Sequence, residues 1–256
     1  MILSKGSQGP LVKRIQFFLI GLGLLKSSAT GFYGDKTTMA VRAFQAKNNL
    51  SVDGKVGPNT LAEMIKLGLS VEAAPVSSAS GYPVRPAGAV PLSDKQKNSL
   101  FGTIKWRRNY KSKDREAIII TNGWDDQNII MTNVPQLVKL GLSKTGNVSW
   151  HKKCEKQLLS LWKEWDDTGL LKYVISYEGA YNPRLIRGSR TSLSQHSYGV
   201  AFDINAAWNG LGKYPAGPGQ KGCLYELVPS MYKWGFYWGG HFSRRDGMHA
   251  EVYKIL

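Results

Sequence analysis

Two cysteines in 256 residues, Cys154 and Cys223, are too few for a disulfide framework or a thiolate metal cluster. Acidic side chains are also scarce: 18 Asp and Glu stand against 34 Lys and Arg, a net charge of +16. Such an imbalance says little about fold, but it suits an anionic partner such as nucleic acid, acidic lipid or a charged wall polymer. The basic excess is spread along the chain, +6 in residues 1–69 and +10 in the remainder. No run approaches the roughly 20 apolar residues of a membrane span. The longest candidate, Ile15 to Leu25, is interrupted by Gly21 and Gly23. It is not followed by a small-residue cleavage site, so no export signal is expected. Histidine is also scarce, with four in all: His151, His196, His241 and His249.

Glycine and aromatics are plentiful. In residues 1–69 a Gly-x-x-Gly step occurs three times, at Gly6–Gly9, Gly31–Gly34 and Gly54–Gly57. Each is followed by a residue suited to start a helix: Pro10, Asp35 and Pro58. Apolar residues then recur at helical spacing, as in Leu11, Ile15, Phe18 and Leu22. The reading is three short helices forming one small all-α three-helix bundle. Residues 70–92 are rich in Ala, Ser, Pro and Gly and read as a linker. From residue 93 the pattern mixes helix and strand. Strands are expected at Ala117–Thr121, Tyr173–Tyr177, Gly199–Asn205 and Met248–Tyr253. Helices are expected at Cys154–Trp165 and Leu224–Trp234.

Two phrases carry candidate chemistry. The first is Ser194-Gln195-His196-Ser197-Tyr198-Gly199-Val200-Ala201-Phe202-Asp203. Strand alternation puts Gly199, Ala201 and Asp203 on a small-residue face and Val200, Phe202 and Ile204 on a core face. The second is Asp246-Gly247-Met248-His249-Ala250-Glu251, where alternation puts His249 and Glu251 together. Two histidines and a carboxylate are a common catalytic zinc set with a fourth position left open. Asp246 could act as a base toward water, and Glu251 could orient a ligand imidazole. His-x6-Asp and Asp-x2-His are not specific by themselves. His151 stands in no motif and reads as polar surface. His241 reads as surface or structural, with substrate contact as the alternative. Lys105-Trp106-Arg107-Arg108-Asn109-Tyr110-Lys111 interleaves bases with aromatics, as nucleic-acid binders do.

Taken together, Ser194-x-His196-x-x-Gly199-x-Ala201-x-Asp203 and Asp246-x-x-His249-x-Glu251 resemble the LAS-type zinc peptidases of the VanY or M15 family. Asn182 to Ser189 is similar to the family's arginine-bearing segment, and Trp238-Gly239-Gly240 resembles its phage branch. Residues 1–69 resemble the peptidoglycan-binding domain through the glycine repeats, Gln16, Phe44-Gln45 and Asp53-Gly54. The combination resembles a modular phage endolysin. The resemblance implies a peptidoglycan-binding domain over 1–69, a linker over 70–92, and an α+β zinc peptidase domain with an antiparallel sheet over 93–256. It implies Zn2+ held by His196, Asp203 and His249, Asp246 as general base, and Arg184 or Arg187 steadying the oxyanion. The implied substrate is the stem peptide of bacterial peptidoglycan, at the L-alanyl–D-glutamate bond. The alternatives are a D-alanyl–D-alanine carboxypeptidase and a wall-binding protein without catalysis. A monomer held in the host cytoplasm until release is expected, with non-specific attraction to anionic wall or outer-membrane surfaces; nucleic acid is set aside as a partner. One departure from the family pattern is Ala250, where relatives usually carry an aromatic residue.

Overall fold

The computed structural model describes residues 2–27, 29–69 and 82–256. The chain divides into two compact units, Met1–Ala74 with Trp165–Leu170, and Pro75–Glu164 with Leu171–Leu256.

The N-terminal part is helical. It contains α1 (Pro10–Gly21), α2 (Asp35–Lys47) and α3 (Pro58–Lys66). Each begins one residue after the second glycine of a Gly-x-x-Gly step, with proline or aspartate in the first turn. Val12, Ile15, Leu19, Tyr33, Val41, Phe44 and Met64 form its core. Two buried glutamines tie the turns to this core. Gln16 donates to Phe32 O at 2.8 Å and accepts from Gly31 N at 2.8 Å. Gln45 does the same for the third turn, donating to Asp53 Oδ1 and accepting from Gly54 N, each at 2.8 Å. Such pairing offsets the cost of placing an amide in a core.

The C-terminal part is α+β with antiparallel sheets. A capping box of Ser93 and Gln96 starts α4 (Asp94–Phe101). Next come the hairpin-like pair β1 (Trp106–Arg108) and β2 (Ile118–Ile120), then α5 (Trp124–Asn128). The strands β3 (Ile129–Asn133) and β4 (Asn147–His151) pair antiparallel around α6 (Pro135–Lys139), and α7 (Glu155–Asp167) follows. The sheet that matters for the site has the order β5 (Tyr177–Gly179), β6 (Ala201–Ile204), β8 (His249–Val252), β7 (Phe236–Trp238). The helix α8 (Val228–Lys233) precedes β7. One face of this sheet is packed by Phe202 and Phe236 with Trp150 and Trp162 at centroid distances of 5.6 to 6.3 Å.

Several expectations shift. Tyr173–Tyr177 is not one strand: a 3-10 turn covers Leu170–Tyr173 and the strand starts at Tyr177. The helix expected over Leu224–Trp234 is confined to Val228–Lys233, where Pro229 occupies the first turn. The basic-aromatic phrase around Trp106 is β1, paired with β2. His151 is not surface: it is fully buried between Phe101 and Trp124, and its Nδ1 accepts from Lys153 N at 3.1 Å. Of the expected linker, residues 70–81 lie outside the described residues. Tyr82 and Pro83 pack within the C-terminal unit: the Tyr82 hydroxyl donates to Gly240 O, and Pro83 O accepts from His241 Nε2. His241 therefore has a structural role, since its Nδ1 also accepts from the Tyr232 hydroxyl at 2.7 Å.

Candidate metal centre

The central pair of strands brings the two sequence phrases together. In the β6–β8 ladder Asp203 lies opposite His249, and Ala201 opposite Glu251. These residues share one face, the small-residue face of β6. His196 arrives from a buried 3-10 turn, Gln195–Tyr198, that Ser194 caps. Gly199 ends that turn with φ +62, and a Cβ there would meet Ile129 Cδ1 at 2.6 Å. Both the left-handed backbone and the space demand glycine.

One nitrogen or oxygen from each of His196, Asp203 and His249 lies within 4.8 Å of the other two. His196 Nε2 is 3.2 Å from Asp203 Oδ1 and 3.1 Å from His249 Nδ1, and His249 Nδ1 is 2.9 Å from Asp203 Oδ1. The outward nitrogens are committed elsewhere. A carbonyl can only accept, so His196 Nδ1 donates to Ala180 O at 2.5 Å. His249 Nε2 donates to the Glu251 carboxylate at 3.0 Å. The lone pair of a singly protonated imidazole is thereby aimed at the centre from each histidine, where a carboxylate oxygen already points. Three acceptors at this spacing repel unless a cation sits among them. A proton can serve. Burial opposes charge on His249, but the Asp203 and Glu251 carboxylates outweigh it and raise its pKa. Burial pushes Asp203 up, but the two imidazoles hold it below the usual carboxylate range. A metal ion fits the same demand, and the donor set of two imidazoles and a carboxylate suits one that keeps an open position. This is a possible His/Asp/His metal site.

Asp246 stands at the turn before β8. Its carbonyl accepts from His249 N at 3.0 Å, and its amide donates to Gly239 O at 2.9 Å. Its Oδ1 is buried with no hydrogen-bond partner among the described residues. Burial raises the Asp246 pKa; Asp203 adds to the rise, while His249, His196 and Arg184 oppose it. Burial and the neighbouring Asp203 thus disfavour its charged form. The two arginines part company. The Arg187 guanidinium, on the outer side of its loop, pairs with Asp114 and with Glu116 at 2.7 Å. Arg184 is half-buried, and its charge reaches both Asp203 and Asp246. Burial lowers its pKa, but not enough to matter near neutrality for a guanidinium.

One contributor, the Ala180 carbonyl, has no sign in the sequence, and Trp238 and Gly239 are marked there only through a resemblance, without their roles. Ala180 O orients His196 from just beyond the irregularity in β5–β6 pairing at Tyr177 and Gly179. No residue type signals a carbonyl. Gly239 packs so closely that a Cβ would run into Asp246 O and lie 3.1 Å from His249 Cβ. Trp238 Nε1 donates to Gly247 O at 2.7 Å, pinning the turn from below.

Comparison with known proteins divides the chain in the same way. Residues 8–64 match a peptidoglycan binding domain family, and residues 187–252 match an M15 peptidase family described as D-alanyl-D-alanine carboxypeptidase. The second match spans His196, Asp203, Asp246 and His249, and begins after Arg184. Among curated proteins, a probable N-acetylmuramoyl-L-alanine amidase of Bacillus licheniformis is 44% identical over 62 residues, 23% of this chain and 18% of that protein. The N-acetylmuramoyl-L-alanine amidase CwlL of the same organism is 42% identical over 69 residues, 26% of this chain and 19% of that protein. The chain therefore spans about a fifth of the length of the curated relatives it matches. A crystal structure of the SleB N-terminal domain aligns at 31% identity over 26% of this chain and 92% of that one, with a TM-score of 0.26. The helical N-terminal part thus contains a segment similar to a peptidoglycan-binding domain family, and the α+β part contains one similar to an M15 peptidase family.

Proposed function

We propose that this chain is a zinc-dependent peptidoglycan peptidase of the phage endolysin type, cutting the stem peptide at the L-alanyl–D-glutamate bond. The observation that carries the reading is the convergence of His196 Nε2, Asp203 Oδ1 and His249 Nδ1, with Asp246 Oδ1 buried and unpaired beside them. Zinc held by these three ligands would supply Lewis acidity toward water and the scissile carbonyl, enough to bring the pKa of a water to about 7. Asp246 takes the proton of the attacking water, a role its raised pKa suits, and passes it to the leaving amine. Arg184 offsets the negative charge that grows on the carbonyl oxygen. Glu251 and Ala180 O hold the two imidazoles in their ligating orientation. Arg187 anchors its loop through Asp114 and Glu116. The peptidoglycan-binding domain over 1–69 raises the local concentration of the peptidase on an insoluble wall. The net charge of +16 adds attraction to anionic wall and outer-membrane components. The protein works as a monomer, stored in the host cytoplasm until released to the wall.

The description of the matching M15 family favours a second reading, removal of the terminal D-alanine of the stem. Mass spectrometry of fragments released from purified peptidoglycan, with chelator and with zinc restored, separates the two. New N-terminal D-glutamate, lost with chelator and regained with zinc, is the expected result. Free D-alanine alone would move the chain to the carboxypeptidase reading. No fragment under any metal condition would leave only wall binding.

A further inference from the structure

Beside the candidate metal centre, residues 205–227 form a long excursion between β6 and α8 whose one acidic residue, Glu226, stands at its far end. The excursion is held firmly. Asn205, at φ +56 and fully buried, accepts from Ile175 N and Ser176 N and donates to Tyr173 O and Gly222 O. Asn209 donates to Gly222 O at 2.9 Å and accepts from Ala216 N at 3.0 Å. The same excursion is laced to the segment that carries the base. Gly212 N donates to Arg245 O at 2.6 Å, and Met248 N donates to Asn209 O at 3.1 Å. A Cβ on Gly247 would meet Pro215 at 2.7 Å.

On this excursion lies an open groove of about 450 Å³ lined by Trp208, Tyr214, Ala216, Gln220 and Lys221. Cations cover its aromatic walls. Lys221 Nζ sits 5.0 Å from the Trp208 ring centre, and the Arg245 guanidinium 4.1 Å from that of Tyr214. Arg245, the cation over Tyr214, immediately precedes Asp246, so one of the two cations flanking the groove belongs to the turn that carries the proposed base. A ring face that already carries a cation is not open to stack on a sugar. A cation placed over a ring keeps its outer side for an anion and loses little mobility on binding one.

We propose that this groove is a substrate subsite for a carboxylate of the peptide, held between Lys221 and Arg245 next to the scissile bond. The inference rests on the peptidase reading and adds to it the feature that the enzyme selects: a free-acid peptide over its amidated form. A soluble stem peptide presents such carboxylates, and amidation removes the charge while keeping the shape.

The test uses the full chain and two synthetic stem peptides, one with free carboxylates and one with the same groups amidated. Binding is read by calorimetry on chelator-treated protein, and cleavage is read separately after zinc is restored. Wild type is expected to bind the free-acid peptide more tightly than the amidated one. Lys221→Gln and Arg245→Gln each weaken free-acid binding by roughly tenfold or more, as loss of a charged hydrogen-bond partner does. They leave binding of the amidated peptide as in wild type, and Lys221→Arg restores free-acid binding. Unchanged affinity for the free acid in both Gln variants would overturn the subsite, as would equal weakening for both peptides. Binding of a chitin oligosaccharide that competes with the peptide and is lost in Tyr214→Ala would overturn it in favour of a sugar groove. A wild type that binds the free-acid peptide in the expected pattern but never cleaves it would sink the peptidase reading and leave the subsite standing.

Discussion

At the scale of single residues, chemistry is divided among groups that differ mainly in burial and partners. Asp246→Asn removes the proton carrier while keeping the turn. It is expected to lower the hydrolysis rate by about 10²–10⁴ with unchanged zinc content, as measured by metal analysis and stem-peptide turnover; wild-type turnover would remove Asp246 from the mechanism. Arg184 and Arg187 are three positions apart but have different environments, so their substitutions should diverge. Arg184→Met should lower turnover with little change in melting. Arg187→Met should leave turnover near wild type and cost up to about 1 kcal/mol, because its ion pairs with Asp114 and Glu116 are half-exposed. His151 offers a third residue-scale test. Burial, reinforced by the charges of Lys153 and Lys152, pushes its pKa down to about 4. The folded protein therefore favours the neutral ring, and the unfolded chain binds the proton more readily. Stability from this group is present above the unfolded pKa of about 6.5 and is lost as pH falls toward the folded value. The loss amounts to roughly 3 kcal/mol. Chemical denaturation across that window should show a shallower acid decline in His151→Phe than in wild type.

Elements position these groups. The candidate metal ligands come from two paired strands and one capped turn, so their spacing is set by ladder geometry and the turn's cap. Alternation made the faces of β6 and β8 legible in advance, since period two is a local property of a strand. It could not reveal that β5 breaks register at Tyr177 and Gly179, next to the carbonyl of Ala180 that orients His196. The strand expected at Tyr173 starts only at Tyr177, because Tyr173 closes a 3-10 turn and Val174, Ile175 and Ser176 connect it to β5, with Ile175 N and Ser176 N donating to the distant Asn205 side chain. The turn carrying Asp246 depends on Gly239 beneath it. Gly239→Ala should displace Asp246 and His249, cost about 1–3 kcal/mol by overpacking, and weaken zinc binding. Melting curves with a competitive chelator titration would report both, and unchanged zinc affinity would show that the close approach is dispensable.

For the whole molecule, the proposed function makes charge and modularity the determinants of behaviour on the wall. Attraction carried by a net charge of +16 is screened by salt, whereas the specific contacts proposed for the N-terminal domain would be screened less. A fragment that starts at Tyr82 should keep rate on small peptides and lose rate on intact sacculi at low enzyme concentration; equal rates on sacculi would remove the tethering role. A cut at residue 93 should also weaken the peptidase, because it deletes Tyr82 and Pro83 with their bonds to Gly240 and His241. That packed segment was hidden in a stretch whose proline and glycine content reads only as linker. The sequence by itself determined the helix starts of the N-terminal part and the strand faces that carry Asp203, His249 and Glu251, because caps and strand alternation act over a few residues; the choice of His196, Asp203 and His249 as candidate metal ligands rested on the resemblance of the two phrases to a known family. The tertiary structure alone decided that Arg187 is spent on Asp114 and Glu116 while the charge of Arg184 reaches Asp203 and Asp246, that Asp246 Oδ1 is buried without a hydrogen-bond partner among the described residues, and that His151 is core. Each of these depends on groups brought together from distant positions, 73 residues apart for Arg187 and Asp114, and burial and charge pairing exist only once the chain has closed around them.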